Sequence, residues 1–159
     1  MDAVVSLAPG TERNELAAEF AETVRANVTR SSAKRELLRR MQGLVYVVVN
    51  DPPPGTVDSA ASWGGALTLR FDFGLLTIHD GLVGRPDLTL RGDPAVIAAL
   101  PDFKPRASLP VARRLASNLG TLWWIASRRA LGERLTIYGL KRRPGFALAL
   151  LRIISRHRW

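Results

Sequence analysis

The chain has 159 residues, enough for one domain with a buried core, and 47% of them are hydrophobic, which argues against a disordered polypeptide. It holds no cysteine and two histidines, His79 and His157, so disulfides, thiol catalysis and cysteine-ligated metal are excluded. Its net charge of +9 is unevenly spread: from Lys104 onward there are 13 basic residues and one acid, Glu133, whereas residues 1–103 hold 10 basic and 13 acidic ones. Such asymmetry suits an anionic partner, either membrane head groups or nucleic acid.

Met1 to Leu7 has neither the basic stretch nor the apolar length of a signal peptide, and no segment approaches the roughly 18–20 apolar residues of a spanning helix. A cytoplasmic protein, peripheral at membranes, is therefore expected. Thr11 suits an N-cap. Leu16, Phe20, Val24 and Val28 then recur every four residues, with Glu12, Glu15, Glu19 and Glu22 in the early turns, so a first amphipathic helix is predicted. Ser32 to Gln42 predicts a second, with Leu37, Leu38 and Met41 against Lys34, Arg35, Arg39 and Arg40, and Gly43 as its stop.

Leu44 to Val49 is a β-branched run that reads as a buried strand, and Asn50 to Gly55, with three prolines, ends it. In Leu67 to Phe73, apolar residues alternate with Thr68, Arg70 and Asp72, predicting a strand that buries one face. Gly74 permits a tight reversal into Leu75 to His79, which stops at Asp80-Gly81. Leu88 to Arg91 predicts a further strand, and Asp93-Pro94 the start of a short helix to Leu100. Three prolines interrupt the chain between Pro101 and Pro110, before a helical pattern from about Val111 to Ala130 that contains Trp123-Trp124. Leu135 to Gly139 alternates like a half-buried strand, and Pro144-Gly145 opens an almost wholly apolar helix.

The usual signatures of catalysis are missing. There is no nucleophile elbow, phosphate loop, dinucleotide fingerprint or metal-binding histidine pair, and Gly64-Gly65 lacks the strand-turn-helix setting of a phosphate cradle. His79 beside Asp80 reads as structural or exposed, and Asp87 as a turn cap rather than a proton carrier. A non-enzyme without cofactor or metal is expected.

The order of these pieces carries a resemblance. The strand pair ending in Asp80-Gly81, the strand Pro86-Asp87-Leu88-Thr89-Leu90, the short helix, the closing strand Gly132 to Gly139 and the apolar last helix together resemble the sterol carrier protein 2 (SCP2) domain, over residues 66–155. That resemblance implies a mixed α/β (α+β) fold with a five-stranded, mostly antiparallel, curved sheet. Helices cover one face of it and enclose an apolar tunnel for a sterol, fatty acyl chain or other lipid. Residues 1–43 then form N-terminal helices packed on a domain of residues 44–159, whose stretch at about 101–130 is longer than the family's usual connection.

The expected cavity residues are Phe103, Leu119, Leu122, Trp123, Phe146, Leu150 and Ile154, because their apolar faces point between sheet and helices. Arg128, Arg129, Lys141, Arg142 and Arg143 are the expected membrane-facing cations. Family members that act as accessory subunits in quinone biosynthesis supply the alternative, a partner-binding role without transport. Nucleic-acid binding is the weakest alternative, since aromatic side chains are not interleaved with the basic residues.

Overall fold

The computed structural model describes residues 3–50, 65–102 and 135–157. Among these residues, six strands form one open mixed sheet, β1 (Val4–Leu7), β2 (Gln42–Val49), β3 (Gly65–Asp72), β4 (Leu75–Asp80), β5 (Leu88–Gly92) and β6 (Thr136–Tyr138). Their order across the sheet is β1-β4-β3-β2-β5-β6. Helices α1 (Glu15–Arg30), α2 (Ser32–Arg40), α3 (Pro94–Ala99) and α4 (Pro144–Ile154) complete a mixed α+β fold.

All five expected strands are present, and β1 is a sixth. Three ladders are antiparallel, β2–β3, β3–β4 and β5–β6, and two are parallel, β1–β4 and β2–β5. The five-stranded expectation thus corrects to six. Four residues are too few to display a period, and β1 owes its place to parallel pairing with a strand distant in sequence.

Register aligns the apolar residues on one face. Leu69 pairs with Val45 and Ile78, Val45 with Leu88, Val47 with Leu67 and Leu90, and Leu90 with Ile137. Cross-strand partners point to the same side of a pleated sheet, so a single apolar layer results. With Leu16, Phe20, Val24 and Val28 of α1, Leu38 of α2 and Leu150 of α4 it makes one continuous core. Each large aliphatic side chain fully buried there contributes about 1.5–3 kcal/mol.

On the other face, the link from β4 to β5 crosses β3 and β2. It hangs on Thr68, whose hydroxyl donates to the Gly81 carbonyl and accepts from Val83 N–H, and on Tyr46, whose hydroxyl donates to the Gly84 carbonyl. That use explains why a threonine on the polar face is fully buried.

Helix boundaries move in two places. The N-cap of α1 is Asn14, whose side chain accepts from Ala17 N–H, while Thr11 lies in a preceding 3-10 turn and its hydroxyl accepts from Asp80 N–H. Ser31 caps α2, which stops at Arg40, so Gly43 lies inside β2 rather than ending a helix. The β3–β4 turn is the two-residue loop Phe73-Gly74, with φ of 43° and 106°. Positive φ at both positions matches the type I′ hairpin, and a phenylalanine there costs roughly 1–2 kcal/mol.

The C-terminus of α4 is buried and its carbonyls are met from two helices. Asn27 of α1 donates to the Ile153 and Ile154 carbonyls, and the Lys34 ammonium of α2 donates to the Ser155 carbonyl. Burial holds the Lys34 pKa below the ordinary 10.5. Between that lowered value and 10.5 the unfolded chain binds more protons at this site than the folded one, so Lys34 makes stability rise with pH across that window. Urea unfolding at a series of alkaline pH values should show this rise in the wild type and its loss in Lys34→Met.

Candidate functional site

Helix α4 follows from its composition. Pro144 occupies its first turn, where a missing N–H costs nothing, and of its eleven residues only Arg152 is charged. Ala147, Ala149, Leu150, Leu151, Ile153 and Ile154 are buried on several sides of the helix, so it is enclosed rather than laid on a surface.

The three expected cavity residues on α4 take different positions. Leu150 and Ile154 are fully buried, while Phe146, half-buried, sets its ring edge-on to Phe71 with centroids 5.7 Å apart. Phe103, Leu119, Leu122 and Trp123 lie outside the described residues, as do Arg128 and Arg129.

Ile154 also lines a cleft between α1, α3 with the 3-10 turn that follows it, and the end of α4. Leu16, Phe20, Ile97, Ala98 and Pro101 make up the rest of its apolar lining, and Glu19 and Thr23 are its polar members. The cleft's cavity volume is about 10 Å³, room for about one water, and far below the roughly 300–1,000 Å³ of ordinary ligand pockets. Arg156 ties the 3-10 turn to α4: its backbone N–H donates to the Pro101 carbonyl and its guanidinium pairs with Asp102 at 3.2 Å. Leu16 and Phe20 were legible as core by their four-residue spacing, whereas nothing in the sequence marked Ile97 and Pro101 as their neighbours.

A second cluster gathers where α4 begins. One Asp87 carboxylate oxygen accepts from Leu44 N–H at 2.9 Å and the other pairs with Arg143 at 3.0 Å. Arg143 also donates to the Gln42 carbonyl, and its guanidinium lies 5.5 Å from the centroid of the Phe146 ring. Two glycines make room. A Cβ on Gly43 would lie 2.6 Å from Asp87 Oδ2 and 3.1 Å from the Phe146 ring, and one on Gly139, at φ +85°, would overlap the Asp87 carbonyl oxygen. Asp87 is thus a joint between β2, β5 and the β6–α4 turn, close to the turn-capping part expected of it. Lys141, Arg142 and Arg143, expected as membrane-facing cations, are all exposed, and Arg143 is in addition engaged in this joint. His79 stands on the polar face opposite Thr68, and among the described residues no group of three His, Asp or Glu side chains is placed to hold a metal ion.

No family model and no curated protein matches this chain. It is similar to three solved structures at low identity. A conserved hypothetical protein of Thermus thermophilus, a candidate sterol carrier protein, shares 16% identity over 95% of this chain and 91% of its own, with a TM-score of 0.49. A ubiquinone synthesis protein, UbiJ-SCP2, shares 17% over 86% and 94%, with a TM-score of 0.47. A sterol carrier protein 2 shares 15% over 86% and 91%, with a TM-score of 0.45. All three are SCP2 proteins or candidates, and no residue role transfers from them at this level of likeness.

Because Asp87 satisfies a backbone donor as well as a half-exposed cation, Asp87→Ala should destabilise the fold by about 1–2 kcal/mol in urea unfolding, most of it from the hydrogen bond. Gly139→Ala should cost more than Asp87→Ala, since strand β6 must shift to clear the Asp87 carbonyl.

Proposed function

We propose that this protein binds and carries an apolar ligand, a sterol, fatty acyl chain or other lipid, without covalent chemistry, and docks transiently on anionic membranes. The observation that supports this most directly is the cleft beside Ile154, whose lining is apolar apart from Glu19 and Thr23. Burial of apolar surface contributes about 25 cal/mol per Å², so a ligand covering several hundred Å² needs few polar contacts. In this reading α3 and the 3-10 turn Leu100–Asp102 move outward to admit the ligand. They are held by the buried Val96, Ile97 and Leu100, by the Arg156 N–H bond to the Pro101 carbonyl and by the exposed Arg156–Asp102 pair, the last a weak fastening in water. Phe146 and Leu150 then form the inner wall along α4.

The size of the cleft favours a second reading. With a cavity volume of about 10 Å³, it also suits a packed accessory subunit that binds a partner protein and carries nothing.

Titration with a fluorescent fatty acid and a fluorescent sterol separates the two. The carrier reading expects saturable uptake by the folded protein, weakened about tenfold by Ile154→Gln, which buries an amide in the apolar wall, and unchanged by His79→Ala. Phe146→Asp should abolish uptake, with circular dichroism checking that the variant is folded. Absence of saturable uptake of either probe by folded wild type overturns the carrier reading.

A further inference from the structure

One end of the sheet combines features that the core does not use. The starts of β1, β2, β4 and β5 and the ends of β3 and β6 meet there, as do the C-terminus of α2 and the turn leading into α4. Val4, Leu75, Asp72 and Gln42 form a single row of cross-strand partners, and the Phe73-Gly74 turn projects just beyond it. Phe73 is 53% exposed, Val4 50% and Leu75 39%, although all three are large and apolar. Phe73 also holds a left-handed backbone, φ 43°, that a glycine or asparagine would adopt at less cost. Among the described residues it joins no part of the core in return. A strained residue kept at an exposed tip points to a use outside the fold.

Cations surround this tip. Phe73 N–H donates to the Met41 carbonyl and Gly74 N–H to the Leu38 carbonyl, which sets the turn against the end of α2, where Arg39 and Arg40 stand. Gln42, at the end of the row, receives Arg143, so exposed Lys141 and Arg142 belong to the same end. The acids here, among the described residues, are Asp72, Glu36, paired with Arg39 and Arg40, and Asp87, paired with Arg143. Five basic side chains thus face three acidic ones, while Asp80 and Asp93 lie toward the opposite end of the sheet.

Strand addition by a second copy is disfavoured at the nearby edge. The Val5 carbonyl on the free side of β1 accepts from the Arg25 guanidinium at 3.2 Å, which puts a charge where another strand would pair.

We propose that this end of the sheet, with Phe73 at its tip and Arg39, Arg40, Lys141 and Arg142 around it, is the surface that docks on an anionic bilayer. The inference rests on the membrane half of the proposed function and is independent of ligand carriage. The Phe73 ring enters the region between head groups and acyl chains, and the cations pair with lipid phosphates and carboxylates.

The test is co-sedimentation of the full chain with vesicles of phosphatidylcholine alone and of phosphatidylcholine mixed with phosphatidylserine, at low and high salt. Wild type should bind the acidic vesicles and release them as salt rises. Phe73→Asn should lower this binding about tenfold and raise the melting temperature by about 2–4 °C, because it removes the apolar tip and relieves the backbone together. Lys141→Glu with Arg142→Glu should lower binding by roughly fivefold or more per position and leave the melting temperature near that of wild type.

Full binding by Phe73→Asn, with loss only in the double reversal, would overturn the assignment of Phe73 and leave a purely basic dock. Absence of wild-type binding to acidic vesicles would overturn the membrane reading itself. A wild-type dimer dispersed by Phe73→Asn in sedimentation equilibrium would make this end an interface between copies and overturn the proposal.

Discussion

The architecture turns on enclosing one apolar helix. Helix α4 has no polar face to give to water, so the sheet and α1 and α2 must surround it, and enclosing it buries the carbonyls of its last turn. Unpaired, such carbonyls would each cost about 1–3 kcal/mol. That requirement accounts for two residues that otherwise look misplaced, the buried Asn27 on α1 and the buried Lys34 on α2. The opposite end of α4 is fixed by a different device, in which Asp87 and Arg143 join three chain segments over two glycines. The helix is therefore held by polar contacts at its ends and by apolar packing along its length.

The sheet shows a complementary division. Its inner face is given to the core, while its outer face is partly covered by the β4–β5 crossing and otherwise mixed, with exposed Val4 and Leu75 in one row with Asp72 and Gln42. The crossing exists because β4 and β5 lie on opposite sides of the central pair, β3 and β2. A short link over the face opposite the described helices joins them. Thr68 and Tyr46 supply the hydrogen bonds that a loop needs when it lies on a sheet without becoming part of it.

Much of this was legible in the sequence because it depends on period. Alternation in Leu67, Leu69 and Phe71 and the four-residue spacing of Leu16, Phe20, Val24 and Val28 each report one buried face, whereas Phe73, next in the alternation, falls in the exposed turn instead. Short-range chemistry was less transparent. Thr11 and Asn14 are both good caps, and the choice between them depends on Asp80, which is far along the chain. β1 was invisible for the same reason, as was the meeting of Ile97 and Pro101 with α1. Arg143 could be recognised as a cation, but its pairing with Asp87 depends on a turn made possible by Gly139. Periodicity identifies which residues are inside, and it is silent on which polar groups meet.

The Arg25 contact with the Val5 carbonyl has a consequence for how the molecule ends. An open sheet has no geometric reason to stop at its outer strand, and β1, with two adjacent valines, carries the residues that most readily recruit another. Here the boundary is chemical: a guanidinium held by Glu22 occupies one acceptor on that free edge. A neighbouring strand would have to displace a hydrated charge before forming its first backbone bond. A single side chain of the helix above thus stands where a further strand would have to pair.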